Sequence, residues 1–281
     1  MKSSNQSSYF SKDQKQEFSL AATAMLEREQ KRITPLRIGY LAIAIAILIL
    51  SYWQSELNFI TLFQGSGNIG TYLIAYFPPD FTYWKTYLGD TLVTISMGIW
   101  GTLMAAIAAI PLSVLASGNI SPVWVVQPTR RFLDAMRAIN EIVFALMFVT
   151  AVGLGPFAGV MALSVHTTGI LGKLFSEAVE AIDPGPVEGI RATGASKIQE
   201  IIFGVIPQVI PLWASFALYR FESNVRSAAV VGIVGAGGIG VSLYQSFMSF
   251  EYQKVCAILI ILVLATGSID TVSGKLRGWL V

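Results

Sequence analysis

Glu188, Arg191 and Lys197 lie in one polar stretch, Ser176–Gln199, set between long apolar runs. Its opening is turn chemistry. Asp183 suits a helix cap, and Pro184 or Pro186 suits a first helical position, where no N–H is needed. The spacing predicts a short helix over Val187–Thr193. Gly194 can adopt the left-handed backbone that ends a helix, and Ala195–Gln199 then restarts one. Such a unit does recognition by charge: two short helices present Glu188, Arg191 and Lys197 to a partner. The plainer alternative is a solvated loop whose surface charges do little.

A second polar group lies in apolar sequence. His166 is the sole histidine, and Thr167 and Thr168 follow it. An ionisable side chain inside a membrane span faces the bundle interior or a water path. His166 therefore lines a path with its two threonines or makes an interhelical hydrogen bond. Asp134, Arg137, Asn140 and Glu141 recur at helical spacings of three and four, a face that suits an inner gate or contact with a cytoplasmic partner, or else a local salt-bridge cluster. The run GAGGIG at 235–240 fits the glycine pattern of dinucleotide sites but lacks the strand that motif requires, so it reads as close packing or a bend. No G-x-x-x-x-G-K-[ST] loop occurs, so this chain is not itself an ATPase. The one cysteine, Cys256, excludes an internal disulfide and a cysteine metal cluster.

These groups need elements to hold them. Hydrophobic residues make up 54% of the chain and charged residues 13%, against roughly 25% charged in soluble domains. That composition excludes a soluble enzyme, and a net charge of +2 gives no reason to expect nucleic acid. Residues 1–35 read as a polar cytoplasmic tail with a short helix around Phe18–Arg28, and residues 36–281 as the membrane domain. A spanning helix takes about 20 apolar residues. Leu36–Leu57, Leu88–Ala116, Phe132–Val152, Phe157–Phe175 and Lys254–Val272 fit, and Ile198–Tyr219 makes a sixth despite Pro207 and Pro211. Threading six spans with the N-terminus inside puts fifteen of the 19 basic residues on the inner side, as the positive-inside rule demands. Both termini are then cytoplasmic. Gly65–Lys85 reads as an external segment with Trp84 and Tyr87 at the membrane interface. Asn224–Phe250 reads as re-entrant or partly embedded. The expected fold is an all-α integral membrane bundle of about six helices.

The stretch 176–199 resembles the cytoplasmic Glu-Ala-Ala loop of ABC-transporter permeases, with Glu188, Gly194 and Pro207 at the family's offsets, Ala195 after the glycine and Ile206 before the proline. It departs at Gly189 and Ile190, where the pattern has alanines, and at Gly204, where it has isoleucine. The resemblance extends from about Pro128 to Gly240 and is to the permease subunit of phosphonate-uptake ABC transporters, which are binding-protein-dependent importers. It is carried by RRFLDAMRAINEIVFALMFV (130–149), VGLGPFAGV (152–160), HTTG (166–169), EAVEAIDPGPVEGIRATGAS (177–196), IPQV (206–209), LYRFESNVRSAAVVG (218–232) and GAGGIG (235–240), with FPPDF at 77–81.

The resemblance implies a type I ABC importer permease fold and a transport subunit rather than an enzyme. It implies Pro186, Glu188, Gly189, Arg191, Ala192, Gly194, Ala195 and Lys197 as ATPase-coupling residues. Asn140, His166, Thr167 and Thr168 become candidates for the substrate path, with an interhelical hydrogen bond the alternative for His166. Arg220, Asn224 and Arg226, at the expected outer end of the fifth span, become binding-protein or outer-mouth contacts. Pairing of these arginines with Glu222 and attraction of the anion are the alternatives. No cofactor or metal belongs to this chain, and ATP and Mg sit on the partner ATPase. Implied partners are a second copy in a homodimer, two cytoplasmic ATPase subunits, an external phosphonate-binding protein and the bilayer of the cytoplasmic membrane. The rival substrates are phosphate, phosphite or another oxyanion. A membrane enzyme would need clustered catalytic residues, and an ion-driven transporter would need mid-span carboxylates; the sequence offers neither.

Overall fold

The computed structural model describes residues 37–280. The expected tail at 1–35, with its helix near Phe18–Arg28, lies outside the described residues. The chain divides into two compact units at Gly70. In the first, α1 (Arg37–Gln54) is followed by α2 (Phe59–Gln64), and α3 (Ser66–Ala75) crosses the boundary. Asn58 caps α2, its Oδ1 accepting from Ile60 N (3.0 Å) and Thr61 N (3.2 Å). The 18 residues of α1 are all exposed and mostly Ile, Leu and Ala. Such a helix has lipid for its solvent, and its length of about 27 Å nearly matches a hydrocarbon core.

The second unit is a helical bundle: α4 (Trp84–Ala116), α5 (Val123–Ala138), α6 (Glu141–Val152), α7 (Pro156–Glu180), α8 (Pro184–Ala192), α9 (Lys197–Gln199), α10 (Ile206–Val231), α11 (Ile239–Met248) and α12 (Tyr252–Leu280). A π-helical turn, Glu200–Val205, fuses α9 to α10, and a second, Gly232–Ala236, ends the rod. Together Lys197–Ala236 make one 40-residue element. Among the described residues five helices are long and apolar enough to cross a membrane, or six if α5 and α6 count as one broken span.

Two expectations need correction and a third is made specific. Phe132–Val152 is not one straight span. Ile139 takes extended backbone, Asn140 Oδ1 accepts from Ile142 N (2.9 Å), and the helix restarts bent by 86°. Asn140 supplies an acceptor that the first N–H groups of the restarted helix need. Asn224–Phe250 is helix, break and helix: α10 runs on to Val231, the chain leaves helical geometry at Val234, Gly235, Gly237 and Gly238, and α11 begins at Ile239. Gly235, Gly237 and Gly238 have φ of +91°, +84° and +71°, so GAGGIG is a bend that side chains would strain. Tyr87 is buried against Ala229, Ile239, Ala257 and Ile258 rather than lying at an interface.

Small residues set the packing. α7 packs against α4, α5, α6 and α10. A Cβ on Gly169 would stand 2.7 Å from Arg137 N and 2.8 Å from Leu133 O, so the α5 backbone lies directly on α7. A Cβ on Gly98 would meet Val225 at 2.6 Å, which sets α4 against α10 in the same way. Close backbone approach through small residues is how helices associate where lipid removes the hydrophobic drive between them.

Candidate functional site

The polar stretch between α7 and α10 is held from below by the bundle. Glu180, at the end of α7, accepts from Gly118 N (2.6 Å) and pairs with Arg130, whose Nε donates to Ala116 O (2.9 Å). Asn119 Nδ2 donates to Val179 O (2.8 Å). These bonds clamp the ends of α4 and α5 to the point where the stretch departs. Asp183 then caps α8 through Gly185 N (2.9 Å), with Pro184 at its first position. Thr193 Oγ1 returns to Ile190 O (2.7 Å), and Gly194 turns the chain with φ +80°. Ser196 and Gln199 form a reciprocal capping box at α9.

α8 has two faces. No residue of it is fully buried. Val187 and Ile190, half-buried, press on Gly204, where a Cβ would stand 3.2 Å from Val187 Cα. That contact explains the glycine at a position where the family pattern has isoleucine. Arg191 grips Glu200 bidentately, Nε and Nη2 each donating at 3.0 Å, and Lys197 adds a contact at 3.4 Å. The Glu200 carboxylate, hydrogen-bonded to Arg191, holds its guanidinium above the usual arginine range. Arg191 and Lys197 thus point back to the rod. Pro186, Glu188, Gly189, Ala192 and Gly194 are exposed, and Ala195 is half-buried. The rod end packs through Val205, Val209 and Trp213 on Phe175 and Val179 of α7. Trp213 stacks on Phe175 at 4.8 Å between centroids and donates to its carbonyl (3.3 Å). α8 is thus tied to the rod, and the rod end to α7, by side-chain contacts.

The mid-bundle residues fall into two networks. Asn224, buried, accepts from Thr167 Oγ1 (2.8 Å) and donates to Thr102 Oγ1 (2.8 Å), tying α4, α7 and α10 together. Thr168 is buried and turned to Ser164 O (2.7 Å) of its own helix. In the second network His166 Nδ1 donates to Ile139 O (2.9 Å), while its Nε2 lies 3.5 Å from Glu141 Oε2. Ser227 Oγ donates to Glu141 Oε1 (2.8 Å). The bend at Ile139–Asn140 is thus pinned by α7 and α10. Asp134 pairs with Arg137 (2.7 Å) on the exposed side of α5.

The residues expected as binding-protein or outer-mouth contacts all lie on α10. Arg220, Asn224 and Arg226 lie within α10, well before Ala236, where the rod ends. Arg226 pairs with Asp270 of α12 (2.9 Å), Glu222 pairs with Arg277 (2.8 Å), and Asn224 is shut inside the bundle. The expected span ends at Tyr219, twelve residues before α10 does. Sequence reasoning missed Glu200, Glu180, Thr102, Ser227 and Asp270. Only Glu200 had a local signal, its i, i+3 spacing from Lys197. An apolar recess of about 660 Å³ between α4 and α10, lined by Ile99, Leu103, Ala106, Ala214, Leu218 and Phe221, offers an anion nothing.

Comparison with known proteins adds the lineage. Residues 109–281 match the family model described as "Binding-protein-dependent transport system inner membrane component". The chain is 37% identical to the phosphite transport system permease protein PtxC of Stutzerimonas stutzeri, over 86% of this chain and 88% of that protein. It is 60% identical to the putative cryptic phosphonate transport system permease protein PhnE2 of Escherichia coli (strain K12), over 42% of this chain and 96% of that one. Its fold is similar to a chain of the inward-facing MetNI methionine ABC transporter, with a TM-score of 0.62 at 19% identity, covering 69% of this chain and 95% of that chain.

Proposed function

The chain belongs to the family of binding-protein-dependent transport system inner membrane components, and from that premise we propose that it passes phosphonate anions across the cytoplasmic membrane as the permease subunit of an ABC importer. Hydrolysis of Mg-bound ATP is the work of separate cytoplasmic ATPase subunits. An external binding protein delivers the substrate, and a second copy of this chain completes the pathway on a two-fold axis. Both termini face the cytoplasm.

The observation that carries this reading is the two-faced α8. Its inner face is keyed to the rod by Val187, Ile190 and Arg191, while Pro186, Glu188, Gly189 and Ala192 are exposed. A helix so arranged suits the groove of a partner, with Glu188 facing a basic residue there. Closure of the ATPase pair displaces α8. The Phe175–Trp213 stack and the Arg191–Glu200 pair carry that displacement into α7 and α10. A packed bundle responds by moving between discrete arrangements rather than by bending continuously. Gly194 gives the α8–α9 turn its left-handed backbone.

Phosphite is the second reading, favoured by the 37% identity to a permease named for it. The test is ATP-driven uptake of radiolabelled methylphosphonate by vesicles holding this chain, its ATPase and its binding protein, with phosphite and phosphate as competitors. Uptake that needs ATP and resists both competitors supports the phosphonate reading. Uptake abolished by phosphite moves the substrate to that anion. Absence of methylphosphonate uptake by an intact assembly removes the phosphonate assignment.

A further inference from the structure

An arginine in a membrane bundle normally brings its counter-ion with it, because an unpaired charge away from water is costly. The second unit follows this rule with one exception. Arg130 pairs with Glu180, Arg131 and Arg137 with Asp134, Lys173 with Glu177, and Arg191 and Lys197 with Glu200. Arg226 pairs with Asp270, Lys254 with Glu251 and Arg277 with Glu222. Lys85 and Lys275 have no carboxylate but are exposed near helix ends. Arg220 is half-buried, sixteen residues before the end of the rod at Ala236, about 24 Å along its axis. Among the described residues no carboxylate lies within ion-pair distance of it, and its Nε is shut from solvent with no hydrogen-bond acceptor.

Polar groups of α6 and α7 meet α10 beyond Arg220. Glu141 of α6 is brought alongside α10 by its bond to Ser227. That carboxylate is already engaged by Ser227 Oγ at 2.8 Å and faced by His166 Nε2 at 3.5 Å. Ser227 stands two helical turns beyond Arg220 on the same side of α10. An orphaned guanidinium donor asks for an acceptor, and a guanidinium matches the paired oxygens of a phosphorus oxyanion.

We propose that Arg220 is a transit ligand for the transported oxyanion, the fixed positive charge that a phosphonate or phosphite oxygen contacts on its way through the bundle. The proposal rests on the oxyanion-importer reading. Glu141 serves the same passage. A site that conducts must hold its ion loosely enough to release it, and a nearby carboxylate limits how tightly an anion is kept.

The single cysteine makes the test direct. Cys256→Ser gives a thiol-free parent, since Cys256 is the sole cysteine and lies on α12, not on α6, α7 or α10. Arg220→Cys and Arg220→Lys are built on that parent. Both are reconstituted with the ATPase and binding protein, and uptake of radiolabelled methylphosphonate and phosphite is measured. Arg220→Cys should lower uptake about tenfold or more, the scale of one charge-assisted hydrogen bond. An aminoethyl methanethiosulfonate, which restores a positive charge, should recover much of the rate. Uncharged methyl methanethiosulfonate should not, and Arg220→Lys should keep a substantial part. Three outcomes overturn the proposal: parental uptake by Arg220→Cys, equal repair by the neutral reagent, or a loss repaired by neither reagent and shared by Arg220→Lys, which marks packing. A thiol-free parent that transports neither anion fails the oxyanion-importer reading itself, and the proposal falls with it.

Discussion

The α8–α9 segment and the α4–α7–α10 core both rest on polar contacts, yet they hold them in opposite ways. In the segment the partners are close in sequence: Asp183 with Gly185, Ser196 with Gln199, Arg191 with Glu200. One face is left exposed. In the core the partners are far apart, as with Asn224 and Thr102, and the side chains are neutral and buried. Local charged contacts make a short element stiff without the rest of the bundle, which suits a part that receives force. Neutral contacts between distant helices fix their register without burying charge, which suits a part that must shift between packed states.

The sharpest way to break this contrast is to place one side chain in each region. Gly169→Leu drives a side chain into the α5 backbone at Arg137 N and Leu133 O, neither of which can move aside. We expect a loss above about 3 kcal/mol, the upper end of overpacking, seen as poor yield and early thermal unfolding in detergent. Gly189→Leu meets nothing within 4 Å. Its thermal stability should stay within about 1 kcal/mol of wild type, while ATP-driven uptake falls because the exposed face of α8 is altered. Equal stability losses in the two variants would erase the distinction between a packed core and a free docking face.

Gly194→Val comes next. Its Cβ has open space, but φ +80° strains a β-branched residue by about 1–2 kcal/mol. The chain should insert and survive extraction, and uptake should be abolished. Normal uptake would take the coupling role away from this turn. Glu200→Ala is milder. It frees Arg191, which is more than half exposed, so solvent screening keeps the stability loss small. Uptake should fall further than stability does, because α8 keeps its caps yet loses its tie to the rod. Parallel losses in both assays would mean that the pair is structural only.

Legibility followed the same division. The α8 helix, its Asp183 cap and the Gly194 turn were readable because each depends on neighbours within four residues. Most of the spans were readable because lipid demands long apolar runs. The break at Asn140 was not, since the run Phe132–Val152 stays apolar on one side and a single side-chain cap decides it. Nor were the ends of α10: hydropathy falls at Arg220–Arg226, so the span was ended there. The structure continues the helix because Glu222, Asn224 and Arg226 find Arg277, Thr102 and Asp270 on other helices. Partners up to 122 residues away leave no trace in local spacing.

The smallest expected effect tests the core side of the comparison. Asn224→Ala deletes the amide that joins Thr167 to Thr102. In water-soluble cores a buried polar group left unpaired costs more than the bond was worth. Here both threonines have other acceptors in reach. Thr102 Oγ1 already donates to Gly98 O at 2.7 Å, and Thr167 sits on a helix whose carbonyls its hydroxyl can reach, as that of Thr168 does with Ser164 O. The loss should therefore be about 1 kcal/mol, the scale of interhelical hydrogen bonds in membranes, read as a small shift in thermal unfolding. Uptake should change more than that shift implies if the triad sets helix register between the two states of transport. An unfolding shift several times larger would show that the amide carries the packing of α4 on α10, and would make this core as dependent on one contact as α8 is on Arg191.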